Sequence, residues 1–240
     1  FEVGTAGSIS LVLHAIYLPL CLTEGQSKIE ITGGTHVAWS PSFDYLDRCF
    51  SHRLRGLGFE ISVEMRRAGY YPRGGGLIIA RIKGINDVKG INLAEKGLLK
   101  NVRVKAAVSN LPDEIAERML RRIMSRVSEE KDYLDPSLLD CQIERPPSPV
   151  EGAFIFIEAD FESSRACFTG LGEKGKRAEI VADEAWEEFA QFLTSDSAID
   201  PYLADQVLLP LSLAGSPSVF TTSRITDHLL TNAEVIQKFL

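Results

Sequence analysis

The chain has 240 residues, 45% of them hydrophobic, enough for one large core or two modest ones. Its longest apolar stretch, Ile9 to Leu22, is interrupted by His14 and followed by Thr-Glu-Gly-Gln, which is too short and too polar to span a bilayer. A net charge of −7 argues against a protein that coats long nucleic acid, since that needs a basic surface, but it leaves room for one that reads a single end.

The opening Phe-Glu-Val-Gly-Thr-Ala-Gly-Ser reads as a strand entering a helix, so the chain is expected to start inside a larger unit, and nothing in it resembles a secretory signal. Thr5 to Leu22 is predicted as an apolar helix stopped by Glu24-Gly25, and Lys28 to Thr32 as a strand stopped by Gly33-Gly34. Phe43, Leu46, Phe50 and Leu54 recur at helical spacing inside a helix over Ser42 to Leu57. Phe59 to Met65 and Leu77 to Ile82 then form a hairpin around the glycine-rich turn Gly69 to Gly76.

Between about 101 and 199 the order changes. Strands are expected at Val102–Val108, Leu138–Ile143, Ala153–Glu158 and Ala166–Thr169, with helices at Asp113–Val127 and Ala178–Leu193, enough for a small α/β domain. After it, a helix at Leu203–Leu213, a strand at Ser218–Thr222 and a helix at Thr226–Leu240 repeat the order of residues 5–57. The predicted organisation is therefore a discontinuous domain, 1–100 with 200–240, interrupted by an insertion at 101–199.

Cys21, Cys49, Cys141 and Cys167 lack any CxxC pair or zinc-ligand spacing and read as buried reduced thiols of an intracellular protein. Arg118, Arg121, Arg122 and Arg126 make a helical stripe, read as a solvated face paired with Glu114, Glu117 and Glu129, with a nucleic-acid contact as the alternative. Of four histidines, His228 follows Ser223-Arg224-Ile225-Thr226-Asp227 and falls in the first turn of the last helix, where unpaired backbone N–H groups suit a phosphate; with no local mark of a nucleophile and its base, spacing alone reads equally as a structural or surface histidine. In Tyr202-Leu203-Ala204-Asp205-Gln206 the Asp-Gln pair is polar where an apolar helix would prefer neither, which suits either a nucleotide's ribose or amino group or a helix-start carboxylate. Gly33-Gly34-Thr35 and Gly74-Gly75-Gly76 permit close backbone approach; Arg66, Arg67 and Arg73 flank the second run and either hold a phosphate or sit exposed on a hairpin.

Taken in order, Thr5-Ala6-Gly7-Ser8, Gly33-Gly34-Thr35, Trp39-Ser40-Pro41, Gly69 to Gly76, Gly172-Glu173-Lys174, Leu203-Ala204-Asp205-Gln206 and His228-Leu229-Leu230-Thr231-Asn232 resemble the RNA 3'-terminal phosphate cyclase family over essentially the whole chain. The resemblance implies an α/β (α+β) fold of repeated units like the C-terminal domain of a translation initiation factor, with an inserted thioredoxin-like domain. It also implies a further repeat before Phe1 and more sheet after Leu240.

By the same resemblance His228 is the nucleophile that takes AMP from ATP; AMP then passes to an RNA 3'-phosphate, and the neighbouring 2'-hydroxyl closes a 2',3'-cyclic end. Splitting one hard displacement into easier ones is the usual gain of covalent catalysis. The nucleotide contacts it implies are Tyr202, Leu203, Ala204, Asp205 and Gln206, with Pro41 and Tyr45 flanking the adenine. A divalent metal, Mg²⁺ or Mn²⁺, is expected on the triphosphate, with no ligand assigned to it. The family usually has glutamine at the position of His14, kept as a nucleotide contact, and commonly aspartate at that of His36, whose role stays open.

The expected partners are ATP and an RNA 3' end, with no membrane; the expected location is cytoplasmic, or nuclear if eukaryotic. One alternative is a non-catalytic relative acting in ribosome assembly, which would lack the nucleophile. Another is an enolpyruvyl-transferase-type enzyme, for which the acidic balance offers little support.

Overall fold

The computed structural model describes residues 1–130 and 134–240. Helix α1 (Ile9–Cys21) begins at Ser8, whose side chain accepts a hydrogen bond from the Leu11 amide. Strand β1 (Gln26–Gly33) pairs antiparallel with β3 (Gly76–Lys83), which pairs antiparallel with β2 (Glu60–Arg67). The predicted 42–57 helix is real but uneven: α2 (Phe43–Tyr45) runs into a π-helical segment (Leu46–Ser51) and then α3 (His52–Gly56). One face of the sheet carries Ile29, Ile31, Ile78 and Ala80 into a core with Leu13, Tyr17, Phe50 and Leu54 from the helices. The other face is wet and laced with Lys28–Glu30, Lys83–Glu60 and Arg81–Glu64 pairs, as an antiparallel sheet covered on one side should be.

The short strands β4 (Asn92–Leu93) and β9 (Val219–Phe220) pair in parallel. Between them lies the second unit, a four-stranded sheet in the order β6-β5-β7-β8. Its strands are β5 (Leu99–Ser109), β6 (Leu139–Glu144), β7 (Gly152–Phe161) and β8 (Arg165–Leu171), and its helices α4 (Asp113–Glu129) and α5 (Ala178–Thr194). Strand alternation divides its residues between two environments. Val102, Val104, Ala106, Ile155, Ile157, Ala166 and Phe168 meet α4 and α5 in a core of their own. Ala107, Phe154, Phe156 and Cys167 point the other way, into the first core. A strand buried on both faces reads as a continuous apolar run, and β7 does so until Glu158.

Helices α6 (Pro201–Ser212) and α7 (Asp227–Phe239) complete the chain. The Arg118–Arg126 stripe on α4 is paired with carboxylates: Arg118 with Glu179, Arg121 with Glu117, Arg122 with Asp183 and Arg126 with Glu130. Cys21, Cys49 and Cys167 are buried as expected, whereas Cys141, on edge strand β6, is exposed. Among the described residues no helix is long and apolar enough to cross a membrane.

Candidate functional site

The site is organised by the start of α6. Asp200 caps the helix and Pro201 occupies its first turn, a pairing that sets both the entry backbone and the missing N–H. Fully buried, the Asp200 carboxylate accepts from the amides of Tyr202 (3.1 Å) and Leu203 (3.0 Å) and from the Tyr45 hydroxyl (2.8 Å), with the Cys49 thiol 3.6 Å away. Burial outweighs these donors and pushes its pKa up to about 6. The sequence reading missed Asp200, although Asp-Pro before an apolar helix is a recognisable start signal.

On this platform Tyr202 is exposed and donates its hydroxyl to Glu188 at 2.7 Å; partial burial, with Glu188 beside it, raises the phenol to about 12. Asp205 accepts from the side-chain amide of Asn232 on α7, and Gln206 keeps a buried Oε1 without a partner. His228 lies exposed in the first turn of α7, which Thr226 caps by accepting from the Leu229 amide at 3.1 Å. Asn232 is one helical turn beyond His228 on the same face, so the bond to Asp205 brings the two faces together.

An apolar cavity of about 340 Å³, lined by Leu208, Leu211, Ala233 and Ile236 among others, separates later turns of the same two helices. The order of these contacts shows that α6 and α7 run parallel, with Tyr202 and His228 at their common N-terminal end. The cavity lies away from the polar residues, and its apolar lining does not suit a triphosphate.

Other expected contacts are placed differently. Leu203 and Ala204 have their side chains buried in the core, which anchors α6 and leaves their backbone as what they can offer a nucleotide. Tyr45 is also buried. It is only 5% exposed and donates its hydroxyl to Asp200 at the start of α6. Pro41 remains half-buried at the mouth of the loop before α2.

His14 packs its ring 4.4 Å from that of Phe50, and its Nε2 is sealed from solvent without a partner. The same π-helical segment therefore touches His14 through Phe50 and Asp200 through Cys49. Burial draws His14 down to about 4, so the ring is neutral at pH 7.

A pH prediction follows from these opposed shifts. Between pH 6.5 and 4 the unfolded chain takes up a proton that buried His14 refuses, so stability falls with acid by on the order of 3 kcal/mol. Asp200, raised from 3.8 to about 6, holds a proton that the unfolded chain gives up, so acidification over that window returns a similar amount, on the order of 3 kcal/mol. His14→Gln should remove the first contribution alone. Urea midpoints at pH 7 and pH 4 should show the variant gaining on wild type as pH falls; parallel curves would refute the assignment.

His36 is a buried link between the two units. Its Nε2 lies 2.9 Å from Asp44, its Nδ1 2.8 Å from Thr35 Oγ1, and its ring stacks on Phe154 at 3.9 Å. Lys105 donates to the other Asp44 oxygen at 2.7 Å. Burial alone would raise Asp44, but His36 and Lys105 carry it down to about 2. The larger junction is ionic. Glu158 takes a bidentate pair from Arg48 (2.8 and 2.9 Å) and a bond from Arg103 (2.6 Å), with Arg165 at 3.2 Å; Asp160 binds Arg103 and Arg165. Cys49 and Cys167, far apart in sequence, are thiol neighbours across the same boundary.

Among the described residues no three His, Cys, Asp or Glu side chains converge to hold a metal ion. Of the carboxylates near the candidate face, Asp205 is engaged by Asn232 and Glu188 by Tyr202, while Asp227 lies in the first turn of α7. The residues present therefore do not make a metal site, and no step below is routed through one.

A family model described as RNA 3'-terminal phosphate cyclase matches residues 1–240. The curated RNA 3'-terminal phosphate cyclase of Gloeothece citriformis is 36% identical over 240 residues, covering 99% of this chain and 67% of its own length. That of Nostoc punctiforme is 38% identical over 238 residues, with the same coverage of 99% and 67%. The namesake of the archaeon Staphylothermus marinus is 38% identical over 247 residues, covering 100% of this chain and 68% of its own length. This chain thus spans about two thirds of these relatives. A match along its whole length, together with relatives above 35% identity, shows that the chain belongs to the RNA 3'-terminal phosphate cyclase family.

Proposed function

We propose that the protein uses ATP to convert an RNA 3'-terminal phosphate into a 2',3'-cyclic phosphodiester, with His228 as the carrier of AMP. An imidazole nitrogen of His228 attacks the α-phosphorus of ATP; the bond to the β-phosphate oxygen breaks and pyrophosphate leaves. An oxygen of the RNA 3'-phosphate then attacks the adenylyl phosphorus and breaks the N–P bond, freeing His228. Finally the 2'-hydroxyl attacks the activated 3'-phosphorus, loses its proton and expels AMP. A phosphate monoester lacks a good leaving group, and adenylation supplies one; the rest is positioning and charge stabilisation.

The observation that carries this reading is the shared end of α6 and α7, where an exposed His228 stands beside the helix holding Tyr202, Asp205 and Gln206. Tyr202 supplies an exposed aromatic ring at the start of α6 for the nucleotide, and the family resemblance keeps Pro41 beside the adenine. Gln206 offers an unpaired carbonyl oxygen to an amino or hydroxyl group. His14, neutral and with an unpaired Nε2, would have to turn its ring off Phe50 to stand in for an amide as a nucleotide contact.

The test is to incubate the full-length protein with ATP labelled at the α-phosphate. A protein-bound AMP that is acid-labile and base-stable, discharged by RNA bearing a 3'-phosphate, is the expected result. No adduct would overturn the reading and favour a non-catalytic relative.

A further inference from the structure

Trp39 is 99% exposed, and its backbone sits at φ 62°, a left-handed conformation that bulky side chains avoid. A tryptophan so placed adds nothing to the core and strains the chain. Yet the turn around it is well fastened. Ser40 donates to the Val37 carbonyl at 3.1 Å, and the amides of Thr35 and His36 both donate to the Gly69 carbonyl, at 2.8 and 3.2 Å. Those last bonds tie the Trp39 loop to the glycine-rich turn that carries Tyr71, itself 80% exposed. Two outward aromatic rings therefore stand on adjoining loops.

This turn and the end of β2 that leads into it carry cations without carboxylate partners. Arg67 donates to the Gly75 carbonyl at 2.6 Å, and Arg73 lies 3.4 Å from the Pro149 carbonyl; among the described residues neither pairs with a carboxylate. Arg66, by contrast, is neutralised by Glu64 at 2.9 Å and is left out of the argument. Gly74 and Gly75 take φ values of 69° and 76°, and a side chain at Gly74 would strike the Thr5 carbonyl, so the turn must stay tight to present Arg73.

Exposed aromatic rings beside unneutralised guanidiniums suit single-stranded nucleic acid: bases stack on the rings while phosphates meet the charge, regardless of sequence. We infer that Trp39, Tyr71, Arg67 and Arg73 form a stacking platform for the last unpaired nucleotides of an RNA 3' end. The inference rests on the proposed function for its choice of ligand. Pro41, two residues beyond Trp39, flanks the adenine in that proposal, so the platform leads toward the reacting end.

The experiment is binding without ATP, so that no chemistry enters and its outcome is separate from the adenylation test. A fluorescein-labelled, 3'-phosphorylated single-stranded RNA is titrated with full-length protein, following anisotropy and tryptophan emission. The other tryptophan of this chain, Trp186, is 1% exposed and reports little.

RNA is expected to quench the emission. Trp39→Phe should abolish most of that quenching while keeping affinity within about threefold, and Trp39→Ala or Tyr71→Ala should weaken binding roughly tenfold, the scale of one lost base stack. Arg67→Ala and Arg73→Ala should each lower the salt dependence of binding. Binding by Trp39→Ala and by Tyr71→Ala within twofold of wild type would overturn the platform. So would equal affinity for a blunt duplex, or shielding of Trp39 from acrylamide before RNA is added, which would point to a protein surface covering it.

Discussion

Alanine in place of His228 is expected to abolish protein-bound AMP while leaving the fold intact. The two halves of that statement have separate physical grounds. The ring is exposed and α7 has no buried residue, so removing it takes nothing from either core and should change stability by less than about 0.5 kcal/mol. Loss of a nucleophile removes the covalent route itself, and adduct formation should fall by at least about 10³-fold, below detection. Thermal unfolding of the variant alongside the labelling assay distinguishes this from damage. An adduct that survives in a folded His228→Ala protein would reassign the nucleophile.

Glu158→Ala should be the most destabilising single change at the junction of the two units. The carboxylate is buried against Arg48, Arg103 and Arg165, and without it these guanidiniums lose their shared partner, with Asp160 left beside Arg103 and Arg165. Removing one partner of a buried ion pair costs about 3–5 kcal/mol; because Arg48 and Arg103 keep partial access to solvent, the lower end, about 3 kcal/mol, is expected.

The effect should reach the site as well. Arg48 and Cys49 are neighbours on the π-helical segment, and Cys49 approaches Asp200 at the start of α6. Chemical denaturation should show the lower midpoint, and the residual folded protein should bind ATP more weakly. A Glu158→Ala protein with a wild-type midpoint would mean that the network is a surface feature of no energetic weight.

Local signals made most of the elements legible. The 3.6-residue recurrence of Phe43, Leu46, Phe50 and Leu54 marked a helix, and its boundaries held within two residues although its middle widens into a π segment. The hairpin around Gly69–Gly76 was written in glycine and proline, whose backbone preferences act without help from the rest of the fold. Two-residue β4 and β9 were a different matter. Asn92–Leu93 went unpredicted, because so short a strand exists only through its distant partner. His228 and the Tyr202–Gln206 run could be located as helix-start residues, but the bond from Asn232 to Asp205 that joins them could not.

The amino-acid order by itself determined what depends on near neighbours: the longer helices and strands, and the polar residues at the starts of α6 and α7. Only the tertiary structure decided which face of each strand meets which core. It turned Tyr45, Leu203 and Ala204 inward, freed Trp39 and Tyr71 to solvent, and set Glu158 among three arginines. The reason is that burial and charge pairing are properties of surfaces brought together from far along the chain. A strand's period of two says that alternate residues part company, not what lies on either side.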